Sequence, residues 1–426
     1  MLVTMVFQTL YFLVDLYFVG RLGKEAIAGV GIAGNLTFVV LGITQMLAVG
    51  TTTLISHAAG RKEQEHAQSV LTQSLLLAVV IGAIFLVLVT SLRDLYVNAL
   101  SPDPLSARQA LAYLSWFISA MALQFPMVVM GAALRGTGNF KPGMIVQTAT
   151  VILNIVLAPA LMFGWGTGRP MGVAGAGLAS FIALIVGTIW LAFYFFEVNS
   201  YLRLRPEFRP DGGMWVRILK IGLPAGVEFA LIAVYLFIVY TISRPFGAAA
   251  QAGFGIGQRL IQAGFMPVVA LGFAVAPVAG QNFGAGKADR VRETFQRAVL
   301  MAACVMLFFT LACQFVPESM IRFFSSDPAV VSVGAEYLWI ASWSLIASGV
   351  VFVNGSMFQA MGNTIPPLIA SFTRIIIVAI PAVVLTRMAG FELRWIWWLS
   401  VAATILQLAM NLTLLTREFR SKLRFA

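Results

Sequence analysis

The sequence predicts an all-α membrane protein whose twelve transmembrane helices form two six-helix parallel repeats. Composition, the spacing of apolar stretches and an internal repeat all support this fold class. Hydrophobic residues make up 60% of the 426 residues and charged residues 11%, whereas soluble domains contain about 25% charged residues. This composition excludes a soluble enzyme and a disordered chain. The net charge of +11 reflects the small number of acids, 17 Asp and Glu, so we expect no nucleic-acid partner.

Twelve apolar stretches are long enough to cross the hydrocarbon core of a bilayer, which takes roughly 20 helical residues. The first stretch has no basic segment before it and contains Asp15, so we interpret it as a retained helix and not as a cleaved signal peptide. The predicted spans are 1–20, 27–58, 67–91, 107–133, 142–164, 172–196, 216–242, 249–279, 291–315, 329–358, 365–388 and 395–416.

The two halves of the chain resemble each other at a constant offset of 224 residues. Each half holds an even number of spans, so both copies insert in the same direction, as in parallel-repeat transporters. A duplicated static scaffold or a channel is the alternative. Pro224 maps to a position before Met1, and we therefore expect the first helix to lack its beginning. Examples of the matches are Gly23 with Gly247, Gly29 with Gly253, Asp103 with Asp327, Pro104 with Pro328 and Asn139 with Asn363.

The longest polar interruption, residues 197–215, is basic and contains Pro and Gly, and we predict that it links the two halves. The predicted domains are an N-lobe at 1–196, a cytoplasmic linker at 197–215 and a C-lobe at 216–426. Lys and Arg are more numerous on the side that holds both termini, which predicts that the N- and C-termini are cytoplasmic.

Three ionisable side chains lie deep in the predicted spans: Asp15, Glu228 and Arg374. A charge at the bilayer centre costs on the order of 3 kcal/mol, so such residues are functional candidates unless they pair with each other. Asp15 shares one helix face with Gln8 and Tyr11. A protonated carboxyl is a neutral donor and an ionised one attracts cations, so one side chain can bind a proton and a cargo in turn.

Five segments resemble the multidrug and toxic compound extrusion (MATE) family, and together they extend over essentially the whole chain. The resemblance implies a V-shaped, two-lobe exporter in a bacterial inner membrane, driven by a proton or sodium gradient. It implies amphipathic, often cationic cargo, no enzymatic activity and no cofactor, and we expect a monomer in the lipid bilayer. The segments are VDLYFVGRLGKEAIAGVGIAG (14–34), RGTGNFKPGMIVQTATVILNIVLAP (135–159), GVAGAGLAS (172–180), GFAVAPVAGQNFGAGKADRVRETF (272–295) and FQAMGNTIPPLI (358–369).

The resemblance also assigns coupling residues. The family's first-helix aspartate matches Asp15, and its neighbouring glutamine matches Gln8. Asn154 is a candidate for the family's first-lobe cation site, and a hydrogen bond between helices is the alternative role. Ala158 stands where the family often has an acid. Hard cations take several oxygen ligands, so this departure favours protons over sodium.

Some branches of the family carry a functional acid in the helix of Glu228. Arg374 is placed to pair with that acid, either in a second coupling site or in a structural clamp. We predict cargo contacts from Gln8, Tyr11, Phe12 and Arg374. Further aromatic side chains are weaker candidates to line a cargo cleft: Phe38, Trp116, Phe125, Tyr235 and Phe265.

Two other functions compete with export. A flippase for a lipid-linked oligosaccharide or peptidoglycan precursor needs several basic side chains around a pyrophosphate. The predicted spans offer one deep basic residue, Arg374, which argues against this function. An intramembrane enzyme needs paired acids or a metal-ligand cluster. Asp15 and Glu228 belong to different halves, and two His and two distant Cys do not form a metal site.

Overall fold

The computed structural model describes residues 17–101, 103–165, 168–198, 201–204, 209–388 and 390–424. These residues form α-helices joined by short turns, and they contain no β-strand. The predicted all-α class is confirmed. Eleven helical segments in the described residues are long and apolar enough to cross a membrane. The remaining predicted span, 1–20, is the first in the chain and lies almost wholly outside the described residues.

The chain forms two compact units, Met1–Gly226 and Val227–Ala426. The predicted lobe boundary at residues 197–215 stays a prediction. The boundary between the two compact units falls later in the chain, inside the helix that begins at Gly212. Among the described residues, five helices lie wholly in the first unit: α1 (Lys24–Gly60), α2 (Gln64–Leu100), α3 (Pro104–Gly136), α4 (Lys141–Phe163) and α5 (Val173–Phe193). The remaining helices are α6 (Gly212–Ser243), α7 (Ala248–Gly284), α8 (Ala288–Phe315), α9 (Pro317–Arg322), α10 (Pro328–Ala341), α11 (Leu345–Ala360), α12 (Ile365–Leu385) and α13 (Leu393–Lys422).

The helices repeat the offset that the sequence shows. The first residues of α1, α2, α3 and α4 are followed 224 positions later by the first residues of α7, α8, α10 and α12. A shared capping motif accounts for part of this agreement. The Asp103 carboxylate accepts hydrogen bonds from Leu105 N at 2.9 Å and Ser106 N at 2.8 Å. Asp327 accepts from Ala329 N in the same way, so each aspartate satisfies a free N–H at the start of its helix.

One glycine in each unit lets two helices approach at the same point of the repeat. A Cβ added to Gly29 in α1 would lie 2.7 Å from Ala110 N in α3. A Cβ added to Gly253 in α7 would lie 2.8 Å from Val330 O and 2.9 Å from Gly334 N in α10. Small residues permit this close backbone contact between membrane helices. The repeated glycines therefore set the same helix crossing twice.

The central helix of the first unit is α3, which packs against α1, α2 and α5. In the second unit α7 packs against α8, α10 and α11, while α12 packs against α13. A short 3-10 turn at Ser342–Ser344 joins α10 to α11, so Pro328–Ala360 forms one continuous membrane span. In the first unit, α5 packs against both α3 and α4.

Helix α2 is longer than the matching predicted span, 67–91. Its predicted end at residue 91 reflects the charged residues that follow, but α2 continues to Leu100. Arg93 and Asp94 lie on its exposed surface with Nε and the carboxylate 3.8 Å apart. Charged side chains on a solvated helix face do not interrupt the backbone hydrogen bonds, so the apolar run ends before the helix does.

The described parts of the polar connection before α6 pack along α2. Gln64 and Gln68 each donate from Nε2 to Tyr201 O at 3.0 Å. Further along the helix, Gln73 Nε2 donates to Arg209 O at 2.7 Å. Three glutamines on one helix thus bind backbone groups of this connection.

Candidate functional site

The first unit contains a cavity of about 270 Å³ that is bounded mainly by α3, α4 and α5. Binding pockets for drug-sized molecules begin at about 300 Å³, so the volume of this cavity is just below that range. Its wall combines amide and hydroxyl groups and the side chain of Arg135 with apolar side chains. Lining residues include Gln124, Gln147, Asn154, Ser180, Met127 and Leu184. Such a wall suits a molecule with both polar and apolar parts.

Asn154 joins two helices at the wall of this cavity. Its side chain is 5% exposed, and Nδ2 donates to the Ser180 hydroxyl of α5 at 2.9 Å. The Ser180 hydroxyl in turn donates to Ala176 O at 3.2 Å, which fixes its direction. Asn154 Oδ1 has no hydrogen-bond partner in the part of the chain that the structure describes. An unpaired buried acceptor is costly, so the Asn154 oxygen is a polar group that the described residues leave unsatisfied next to the cavity.

The position that the family often fills with an acid carries no oxygen ligand here. Ala158 lies one helical turn after Asn154, and its side chain is 2% exposed. Its methyl group packs in the core of the first unit. The side chains of α4 therefore provide Asn154, but not a carboxylate one turn later, for binding a cation.

Four of the predicted site residues cannot be compared with the structure. Gln8, Tyr11, Phe12 and Asp15 all fall within residues 1–16, which lie outside the described residues. Their roles in coupling and cargo binding stay predictions.

Glu228 lies in the second unit, in a short chain of hydrogen bonds across three helices. Ser371 of α12 donates from Oγ to Glu228 Oε1 of α6 at 2.8 Å. Gln407 of α13 donates from Nε2 to Ser371 Oγ at 3.0 Å. Gln407 is 6% exposed and Glu228 is half-buried. The carboxylate is therefore oriented by neutral donors on α12 and α13.

Arg374 does not pair with Glu228, although they belong to the same unit. No ion pair between them occurs in the described residues, and the Arg374 Nε atom is buried without a hydrogen-bond partner. The guanidinium lies over the ring of Tyr235, with Cζ 4.9 Å from the ring centroid. The Tyr235 hydroxyl donates to Ser400 Oγ at 3.0 Å, which fixes the ring. A direct clamp between Arg374 and Glu228 is therefore not what the structure shows.

Neutral residues complete both sites, and sequence reasoning missed them. Ser180 accepts a hydrogen bond from Asn154, Ser371 donates one to Glu228, and Gln407 donates one to Ser371. One signal was available: Ser371 and Arg374 are three residues apart and so share a helix face. Ser180 gave no such signal, because a serine in a Gly- and Ala-rich span is typical of simple helix packing.

The aromatic candidates lie in different environments: Phe38 and Trp116 are exposed, whereas the two described next are a contact residue and a core residue. Tyr235 contacts Arg374, as described above. Phe125 is fully buried, and its ring packs edge-on against Phe85 at 5.5 Å between centroids. The expectation that Phe125 lines a cleft is wrong, because it fills the core of the first unit.

The chain matches the MatE family model over residues 1–160 and again over residues 224–385. The probable multidrug resistance protein NorM of Thermotoga maritima is 26% identical, with 94% of this chain and 86% of that protein aligned. The multidrug export protein MepA of Staphylococcus saprophyticus is also 26% identical, over 97% of this chain and 90% of that protein.

Solved structures share the fold. A multidrug resistance MATE family transporter of the MOP superfamily in an outward-facing conformation has a TM-score of 0.91 and 21% identity, covering 100% of this chain and 95% of that chain. A MOP superfamily transporter from Pyrococcus furiosus, described as having a binding pocket of reverse polarity, has a TM-score of 0.91 and 20% identity, covering 100% of this chain and 94% of that chain. Two matches to one family model, which together span most of the sequence, show that this multi-pass membrane protein belongs to the MatE family.

Proposed function

We propose that this chain is a secondary active multidrug exporter that exchanges protons for amphipathic, often cationic, drug-like molecules. The observation that supports this proposal is the cavity of the first unit, whose wall combines amides, hydroxyls and the side chain of Arg135 with apolar side chains. The multidrug names of the relatives NorM and MepA support the choice of cargo. An amphipathic molecule fits this wall because its apolar body can contact Met127 and Leu184 while its polar groups meet the amides and hydroxyls.

Proton coupling requires one group that titrates, and we propose Asp15 for this role, with Asn154 as its neighbour in the coupling site. Ala158 argues against sodium, because a sodium ion needs several oxygen ligands and this position supplies none. Glu228 is proposed as a second coupling group, since its carboxylate lies inside the second unit with neutral hydrogen-bond donors. Arg374 is proposed as a cargo contact, together with Gln8, Tyr11 and Phe12.

We further propose that the protein works as a monomer in a bacterial inner membrane, with both termini in the cytoplasm. The excess of Lys and Arg on the side that holds the termini supports this orientation. The flippase function stays an alternative prediction. It would require a lipid-linked pyrophosphate to be the transported molecule.

Transport in proteoliposomes tests the proposal. The full chain is reconstituted, and uptake of ethidium is followed by its fluorescence under an imposed proton gradient, an imposed sodium gradient, both, or neither. The proton gradient alone is expected to drive ethidium accumulation in sodium-free medium. Accumulation only with a sodium gradient would overturn proton coupling, and no accumulation under any gradient would overturn cation export. Protein-free liposomes serve as the control for passive leak.

A further inference from the structure

The second unit contains a groove of about 650 Å³ between α9 and α10. This volume lies within the range of ligand-binding pockets. A proline accounts for the groove, because proline has no N–H to continue a helix and clashes with the preceding turn. Helix α8 ends at Phe315, and Pro317, which lines the groove, begins α9. The residue 224 positions before Pro317 is Arg93, inside the continuous helix α2, so this helix break belongs to the second unit.

One wall of the groove is the short helix α9, which a buried side chain holds in place. Ile321 is fully buried, and its Cδ1 would lie 2.8 Å from a Cβ added to Gly334 of α10. A glycine at this position therefore lets α9 pack closely on α10. The charged side chains of α9, Glu318 and Arg322, line the groove and pair with each other at 3.1 Å between Oε2 and Nη2.

The other wall presents a carboxylate without a countercharge. Ser332, Glu336 and Trp339 are spaced four and three residues apart, so they lie on one face of α10, and all three are exposed. Among the described residues Glu336 forms no ion pair, whereas Glu318 pairs with Arg322. The lining side chains include two carboxylates and one guanidinium, and the groove is therefore negatively charged.

The length of the span places the groove at the depth of the lipid headgroups. Pro328–Ala360 has 33 residues and is about 50 Å long. A hydrocarbon core of about 30 Å leaves about 10 Å of a centred span outside at each end. Glu336 is the ninth residue, about 12 Å from the start of the span. Trp339, one turn further, matches the enrichment of tryptophan at this depth, and Phe315 and Phe323 at the ends of α8 and α9 are exposed.

The charges of the groove select one kind of headgroup. A carboxylate without a countercharge forms its strongest hydrogen bonds with a cationic N–H donor. A guanidinium has five N–H donors, so Arg322 can bind a phosphate beside its pair with Glu318. The net negative charge disfavours an anionic headgroup such as phosphatidylglycerol. The quaternary ammonium of phosphatidylcholine has no N–H to donate, whereas phosphatidylethanolamine carries a primary ammonium next to its phosphate.

We propose that the groove between α9 and α10 binds the headgroup of an ethanolamine phospholipid, with the ammonium at Glu336 and the phosphate at Arg322. Ser332, one turn before Glu336, adds a hydroxyl donor to the phosphate, and Trp339 contacts the start of the acyl chains. The groove shares no residue with the cavity of the first unit, so the proposal does not depend on the identity of the cargo.

Native mass spectrometry of the purified full chain tests the proposal. The Kd of the first bound lipid is measured for phosphatidylethanolamine, phosphatidylcholine and phosphatidylglycerol with identical acyl chains. The wild type is expected to bind phosphatidylethanolamine at least about tenfold more tightly than either other lipid, a difference of about 1.4 kcal/mol. Glu336→Gln is expected to remove the preference over phosphatidylcholine. Glu392→Gln removes an exposed carboxylate that pairs with Arg394 and is the matched control, which should keep the preference.

Equal affinity of the wild type for the three lipids would overturn the proposal, and so would a preference that survives Glu336→Gln. Soluble competitors distinguish a lipid from a free amine. Glycerophosphoethanolamine, which has the same headgroup without acyl chains, and spermidine are each added at the concentration of the lipid. Neither is expected to displace it, and displacement by either one would identify a soluble amine as the ligand and contradict the assignment to a lipid.

A second measurement needs no variant. A water-soluble carbodiimide joins a carboxylate to a primary amine in contact with it, and peptide mass spectrometry locates the amide. In phosphatidylethanolamine liposomes, coupling of the lipid is expected at Glu336 at least about fivefold more often than at Asp94, an exposed carboxylate near the end of α2. Equal coupling at the two positions would contradict the proposal.

Discussion

The two units carry different chemistry at matching positions of one repeat. In the first unit, Gln147 and Thr150 of α4 line a cavity beside the neutral Asn154. In the second unit, the corresponding face of α12 carries Ser371 and Arg374, and Glu228 of α6 lies next to Ser371. The helix crossings set by Gly29 and Gly253 are the same in both units. The two units thus share a scaffold, but the matching faces of α4 and α12 differ, since the residue that corresponds to Thr150 in the second unit is Arg374.

The largest expected effect comes from the acid assigned to the first unit. Asp15→Asn is expected to reduce ethidium efflux from cells to background, because an amide cannot gain and lose the coupling proton. Efflux is measured from the fall of ethidium fluorescence, with membrane abundance determined for each variant. Asp289→Asn alters an exposed carboxylate at the start of α8 and is the matched control. Equal efflux from wild type and Asp15→Asn would remove Asp15 from the mechanism.

Glu228→Gln tests whether the acid of the second unit contributes to coupling. The glutamine can still accept the hydrogen bond from Ser371, so folding is expected to persist while the charge is lost. Efflux is expected to fall about tenfold. This factor corresponds to about 1.4 kcal/mol, which lies within the usual range of coupling free energies between linked sites. Glu392→Gln replaces an exposed carboxylate just before α13 and should behave as wild type. Unchanged transport by Glu228→Gln would leave coupling to the first unit alone.

Asn154→Leu tests whether the unpaired amide oxygen contributes to transport. The substitution keeps a similar volume but removes the bond to Ser180 and the free acceptor. We expect about fivefold slower efflux, since the loss weakens coupling without removing the titrating group. Asn411→Leu is the control, because Asn411 is also buried with an unpaired Oδ1 but lies in the second unit. Equal losses in both variants would indicate a general packing effect.

The smallest effects concern the scaffold that the units share. Gly29→Ala and Gly253→Ala are each expected to destabilise the fold by about 1–3 kcal/mol, because the added methyl group would meet the backbone of the facing helix. Gly31→Ala meets no atom within 4 Å and is the control. Thermal unfolding of the purified variants measures the difference. Similar losses of stability in Gly29→Ala and Gly253→Ala would support equivalent helix crossings. A loss of stability in only one variant would show that the two crossings differ.

The sequence predicts the scaffold better than the sites. Hydropathy locates the spans, and the Asp103–Pro104 and Asp327–Pro328 pairs mark helix starts because capping and proline geometry are local. The separation of Glu228 from Arg374 could not be predicted in this way. It depends on how α6, α12 and α13 pack, and these helices are distant in the chain. Neutral donors such as Ser371 have no charge that would single them out in a span.

The most direct test of the account measures proton movement that a cargo gradient drives. Proteoliposomes with the full chain and an internal pH dye start with equal pH inside and outside, and with the membrane potential clamped by potassium and valinomycin. When ethidium is added outside, exchange predicts that ethidium enters while protons leave, so the lumen becomes more alkaline. Ethidium entry at constant internal pH would show transport without proton exchange and would contradict the central claim.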